Sequence, residues 1–106
     1  MKEHTIPAIP NEKELEALTE IFSIFGDSTR IRIICALRGG ELSVNSICET
    51  VEMSQPAVSH QLRTLKAARV VKCRREGRKS LYSLDDGHVE AILDMGIDHI
   101  NHTKER

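Results

Sequence analysis

The sequence predicts one mostly α-helical domain with a small β-hairpin. Three observations lead there. Apolar residues recur at helical spacing through most of the chain, for example Leu15, Leu18, Phe22 and Phe25, or Val58, Leu62 and Leu65. Two strand-like runs, 70–75 and 79–84, flank Gly77 in a charged turn. Gly39-Gly40, Ser54 with Pro56, and Asp85-Asp86 stand where helices would stop or start.

Taken in order, residues 1–10, with Pro7 and Pro10, lack periodicity and read as a flexible arm. Asn11 is an N-cap candidate for a first helix, and Glu12, Glu14 and Glu16 lie where the helix dipole favours acids. That helix ends near Gly26. Asp27 or Ser28 opens a second helix through Ile31, Ile34 and Leu37, stopped by Gly39 and Gly40. Ser43 opens a short third helix with Val44 and Ile47 inward. After a turn at 51–53, Ser54 caps a fourth, whose first turn tolerates Pro56 because an amide donor is dispensable there. The hairpin follows. Asp85 or Asp86 caps the last helix, along which Val89, Ile92, Leu93, Gly96 and Ile100 form a broad apolar face. Glycine is unfavourable inside a helix, so Gly96 points to the close approach of another helix. The domain is expected to span 11–102, with 103–106 as a tail.

A chain of 106 residues makes a modest core, in a size range where dimerisation often supplies further buried surface. No apolar run could span a bilayer and no signal-peptide pattern opens the chain, so a cytoplasmic protein without membrane contact is expected. Cys35, Cys48 and Cys73 are scattered singly, unlike a disulfide framework or a thiolate zinc site. Cys35 and Cys48 read as reduced core residues.

A net charge of −1 conceals segregation. Positions 55–80 hold eight basic residues against the single acid Glu76, while the remainder holds seven basic and fifteen acidic residues. Such a block is the electrostatic footprint of a polyanion-binding face. It coincides with two helices in tight succession and a basic hairpin, the winged helix-turn-helix arrangement, which sets a helix N-terminus against the major groove. Ser54, Gln55, Ser59, His60 and Arg63 would face bases and phosphates from that helix. Arg74, Arg75, Arg78 and Lys79 on the hairpin would contact the backbone or a minor groove, with an affinity that falls with salt.

The last third carries a second pattern, Asp86, His88, His99 and His102. These O and N donors suit Zn(II) or a similar divalent ion. Eleven residues of helix place His88 and His99 on nearly one face but about 16 Å apart, so one helix cannot bring all four to one ion. A second copy lying antiparallel would set His99 and His102 of one chain beside Asp86 and His88 of the other. The pattern therefore predicts a homodimer with two symmetric sites. The simpler alternative is an N-cap aspartate with solvated histidines.

The stretch beginning Glu41-Leu-Ser-Val-Asn, the run from Ser54-Gln-Pro-Ala-Val-Ser-His, the wing from Arg75-Glu-Gly-Arg-Lys and the terminal donor pattern resemble the ArsR/SmtB family of bacterial metal-responsive repressors. The donors resemble its zinc- and cobalt-sensing, SmtB/CzrA-like branch. The resemblance covers nearly everything from the first helix to His102. It implies a homodimer through first and last helices, operator DNA as partner, and Zn(II), or else Co(II) or Ni(II), as effector. It further implies release from DNA on metal binding and derepression of efflux or resistance genes. By linkage, a repressor that binds metal better in its DNA-free conformation must lose DNA affinity when metal is added. In the family the ligand corresponding to His99 couples through its second ring nitrogen to the end of the recognition helix, here near Ala68 and Arg69.

Arsenic-, cadmium- and lead-sensing relatives carry cysteines in the third-helix motif, where this chain has Ser43 and Asn45, so soft thiolate coordination is absent there. His4 on the arm is an additional donor without an assigned role. Two other readings compete. A zinc hydrolase would need a general base beside its histidines, and none accompanies the pair spaced like His99 and His102. A redox- or ligand-responsive repressor acting through Cys73 or Cys35 would make the histidines incidental.

Overall fold

Side chains that satisfy the first free amides start the helices of the computed structural model, which describes residues 8–104. Asn11 and Glu14 form a reciprocal capping box at the start of α1 (Glu12–Phe25): the Glu14 amide donates to Asn11 Oδ1 at 2.8 Å and the Asn11 amide to Glu14 Oε1 at 3.4 Å. Asp27 caps α2 (Ser28–Ala36), accepting from the Arg30 amide at 2.9 Å. Ser43 caps α3 (Val44–Val51) and Ser54 caps α4 (Gln55–Ala67) through their hydroxyls. Asp86 Oδ1 accepts the His88 amide at 2.9 Å at the start of α5 (Gly87–Lys104). Both caps left open by the sequence are thereby decided. The neighbouring Asp85 donates its amide to Val70 O at 2.9 Å.

A 3-10 turn, Leu37–Gly39, leads from α2 into β1 (Leu42–Ser43), a strand not expected from sequence. The hairpin, β2 (Val71–Glu76) and β3 (Lys79–Leu84), is in place, and β1 pairs antiparallel with β3 to give the order β1-β3-β2. Leu42 opposes Tyr82, Ser43 opposes Leu81, and the hairpin register runs from Val71 opposite Leu84 to Glu76 opposite Lys79. Two residues cannot display alternation, so only the edge of β3 reveals β1 as a strand. β2 starts one residue later than expected because the Val70 amide donates to Leu65 O at 2.9 Å and completes the exit from α4. That exit passes through Arg69 in the left-handed region, at φ 62°. α5 continues through Lys104, past the expected boundary at 102.

The core gathers Ile24, Ile33, Ile34, Leu37, Ile47, Val51, Val58, Leu62, Leu65, Val70, Val71, Val89 and Leu93. The apolar stripe of α1 is largely outside it. Ile24 is its single buried residue, whereas Leu15, Leu18 and Phe22 are 38%, 45% and 58% exposed. α5 is divided likewise: Val89 and Leu93 face the core, and Ile92, Met95 and Ile100 face outward. Helical periodicity identified the stripe correctly, but one chain does not cover it. A Cβ placed on Gly96 would meet nothing within 4 Å, so no other described residue makes the close approach expected there.

Candidate nucleic-acid interface and metal ligands

α4 turns Val58, Leu62 and Leu65 inward, which leaves Gln55, His60 and Arg63 exposed and Ser59 half-buried. Where the first turns of α3 and α4 meet the hairpin, a cavity of about 420 Å3 opens, lined among others by Asn45, Ser46, Gln55, Arg78 and Lys79. Two cations of the wing thus adjoin the starts of both helices, where free amides and the dipole favour anions. Asn45 and Ser46 were not among the candidates from sequence. The signal for them was the Ser43 cap, which places the first turn of α3 at this surface.

Not every candidate side chain is free. Arg74 donates through Nε and Nη2 to Glu41 at 2.7 and 2.9 Å, and Nη2 lies 3.4 Å from Glu76. The hydrogen bonds from Arg74 hold the Glu41 carboxyl below its ordinary range, and Glu41 in turn raises the Arg74 guanidinium. Arg74 therefore staples β2 to the segment before β1. Ser54 commits its hydroxyl to the α4 cap, accepting from the Ala57 amide at 3.4 Å. Arg63, Arg75, Arg78 and Lys79 make no ion pair among the described residues.

Beneath the wing, Tyr82 opposes Cys73 across the ladder. Burial above all, with the Cys73 thiol beside it, raises the Tyr82 phenol above its usual value. All three cysteines are free thiols, and Cys35 and Cys48 pack against the core.

The donor pattern lies along α5 as its spacing dictates. Asp86 and His88 adjoin at the N-terminal end, with Oδ2 and Nδ1 3.2 Å apart. Hydrogen bonds from the His88 side chain and amide hold the Asp86 carboxyl below its ordinary range. His99 and His102 are exposed toward the other end. Among the described residues no three His, Cys, Asp or Glu side chains meet in a cluster that could hold an ion. One chain thus presents two separated half-sets of borderline donors. Among the described residues, no hydrogen bond joins His99 to Ala68 or Arg69. The middle of α5 is tied to the 3-10 turn by the Arg38–Asp94 ion pair. His4 lies outside the described residues.

Between α1 and α5 runs an apolar groove of about 260 Å3, lined among others by Phe22, Phe25, Ile92, Gly96, Ile97 and Ile100. It joins the two helices whose apolar residues the core leaves exposed.

Residues 27–72 match the model of the arsR family of bacterial regulatory proteins. A transcriptional repressor SmtB homolog of Synechocystis sp. is 38% identical over 94 residues, covering 89% of this chain and 71% of that protein. The chain belongs to the ArsR/SmtB family. An HTH-type transcriptional regulator NmtR of Mycobacterium tuberculosis is 37% identical across 91% of this chain and 81% of its own length. The crystal structure of the AntR antimony-specific transcriptional repressor superposes with a TM-score of 0.83 at 28% identity, over 94% of this chain and 91% of that one. A homodimeric winged helix-turn-helix domain from Mycobacterium bovis, 21% identical with a TM-score of 0.81 over 95% and 96% of the two chains, shares the fold. As a member of the ArsR/SmtB family this chain is a winged helix-turn-helix transcriptional regulator, not an enzyme. No helix among the described residues is long and apolar enough to cross a membrane.

Proposed function

We propose that this chain is a metal-responsive repressor that binds operator DNA as a homodimer and leaves it when Zn(II) or Co(II) is bound between the chains. The observation that carries this reading is the division of α5: two donor pairs sit at its opposite ends, beside an apolar stripe that α1 and α5 leave exposed. Burying that stripe against a second copy covers Phe22, Ile92 and Ile100. An antiparallel pairing of the α5 helices then brings Asp86 and His88 of one chain to the other chain's second donor pair, completing a four-ligand set on each side of the twofold axis. The donor chemistry fits. Histidine nitrogen and carboxylate oxygen suit Zn(II) and Co(II), with Ni(II) a further candidate, and the oxygen and amide groups of Ser43 and Asn45 offer nothing to a thiophilic ion.

When bound, the ion would supply a fixed crosslink between the terminal helices. The chain's own residues would do the rest. His99, holding the ion through one ring nitrogen, would present the other toward the backbone near Ala68 and Arg69, where Arg69 forms the left-handed exit from α4. Turning the two α4 helices away from successive major-groove half-sites would release the DNA and derepress the efflux or resistance genes. Gln55, Ser59, His60 and Arg63 would read the groove, with Arg75, Arg78 and Lys79 on the flanking backbone.

The test is a titration of Zn(II), Co(II) and Ni(II) into an operator complex followed by fluorescence anisotropy, with the Co(II) absorption spectrum read for tetrahedral geometry. Release at about one ion per chain, lost in His99→Ala and unaffected in cysteine-to-serine variants, is the expected result. Release that survives His99→Ala but is lost with Cys73→Ser would overturn the metal reading in favour of a thiol-based one.

A further inference from the structure

α1 ends without a basic residue in its last turn, so its terminal carbonyls lack a cation of their own helix. Arg30, on α2, meets them instead. Its Nε donates to Ile24 O at 3.2 Å and its Nη2 reaches Ser23 O at 3.5 Å. The third arm, Nη1, donates to Gln61 Oε1 on α4 at 3.4 Å. Its backbone is fixed too, because the Arg30 amide is the one that Asp27 caps. Both Arg30 and Gln61 are half-buried, and Gln61 sits between exposed His60 and buried Leu62.

One planar guanidinium therefore joins the end of the helix with the uncovered apolar stripe to the middle of the helix whose outer face carries the DNA candidates. α2 packs against both, so a shift of α1 or α4 must pass through this contact or break it. A lysine cannot replace the fork, since one ammonium cannot span carbonyls on α1 and an amide on α4 in fixed geometry.

We propose that Arg30 is a positioning residue for DNA binding: through Gln61 it fixes the direction of α4 relative to α1, so operator affinity depends on two residues that do not touch DNA. The proposal rests on reading α4 as the helix that enters the major groove. Gln61→Leu removes the α4 end of the joint while leaving the bonds from Arg30 to α1, and Arg30→Lys removes the fork while keeping the charge.

The experiment measures the affinity of wild type, both single variants and the double variant for a labelled duplex from the region upstream of the protein's own gene, at several salt concentrations. Each single change is expected to weaken binding about fivefold, the scale of one net hydrogen bond. The slope of log affinity against log salt should stay unchanged, and the double variant should bind no worse than the weaker single. Wild-type affinity in both singles, additive losses in the double, or a slope reduced by about 0.9 as for a lost phosphate contact would overturn the proposal. A second readout needs no DNA. The Arg30 Nη1–Hη resonances of the free protein should shift in Gln61→Leu, and unshifted resonances would overturn the joint. That shift, together with a wild type that binds no operator duplex, would support the joint while overturning the DNA reading.

Discussion

Asp86 holds His88 at two points: Oδ1 accepts the His88 amide at 2.9 Å and Oδ2 lies 3.2 Å from Nδ1 of its imidazole. One carboxylate thereby starts α5 and orients a donor nitrogen beside its own oxygen. The two tasks can be separated by substitution. Asp86→Asn keeps an acceptor for the amide and removes the charge, whereas Asp86→Ala removes both.

In metal-free protein Asp86→Ala should therefore melt below Asp86→Asn, while both should bind Zn(II) at least tenfold more weakly than wild type. Calorimetric titration and thermal unfolding report the two effects. The carboxyl is held below its ordinary range in the fold, so its stabilising contribution is present above the unfolded value and disappears as pH falls through the lowered one. Equal melting of the two variants would count against the capping role.

The exposed stripe predicts its own test. Phe22→Glu, at a residue 58% exposed in the single chain, should leave the helical circular dichroism intact and shift sedimentation from dimer to monomer. On the proposed reading Zn(II) affinity should drop with it, because a monomer holds only separated half-sets of candidate donors. A variant that remains a dimer would place the interface elsewhere.

Arg74 and Arg78 should differ at DNA although both belong to the basic block. Arg74 is engaged by Glu41 and Glu76, while Arg78 lines the cavity between wing and helix starts. Arg78→Gln should lower the salt slope of operator binding by about 0.9, one phosphate contact, and Arg74→Gln by clearly less. Equal slopes would show that Arg74 leaves its staple on binding.

Tyr82 offers an optical check, as the chain has one tyrosine and no tryptophan. Its phenolate absorbance should appear with a midpoint above 10, the ordinary value, chiefly because the ring is partly buried and additionally because the Cys73 thiol lies beside it. A group whose folded value is raised favours the fold below the unfolded value and loses that contribution as pH rises through the folded one. In Cys73→Ala the midpoint should move only part of the way back. A full return would make the thiol, not burial, the dominant cause.

Leu62 is 1% exposed in the core beneath α4. Leu62→Ala should cost about 2–5 kcal/mol in urea unfolding. A smaller loss would mean that the site collapses around the cavity.

The sequence by itself determined the helices, the hairpin, the segregated basic block and the spacing of the donors on α5, because caps, periodicity and local charge are written in neighbouring residues. Asn11, Ser43 and Ser54 start their helices as read, and Gly77 turns the hairpin at φ 64°. Helical spacing also identified the α1 stripe, yet it could not tell a core face from an uncovered one, since both are equally apolar. Only the tertiary structure decided that Ile24 is the buried member of α1 and that Leu15, Leu18 and Phe22 are left for another surface. The same holds for contacts between distant positions. β1 is a strand because Tyr82 lies opposite Leu42, Arg74 is a staple because Glu41 is folded beside it, and Arg30 meets Gln61 across α2 and α4. Such pairings depend on which helices pack together, which no local pattern encodes. For the donors of α5, spacing alone established that one helix cannot assemble them, and the exposed face of α1 and α5 supplies the physical reason to seek the second half on another chain.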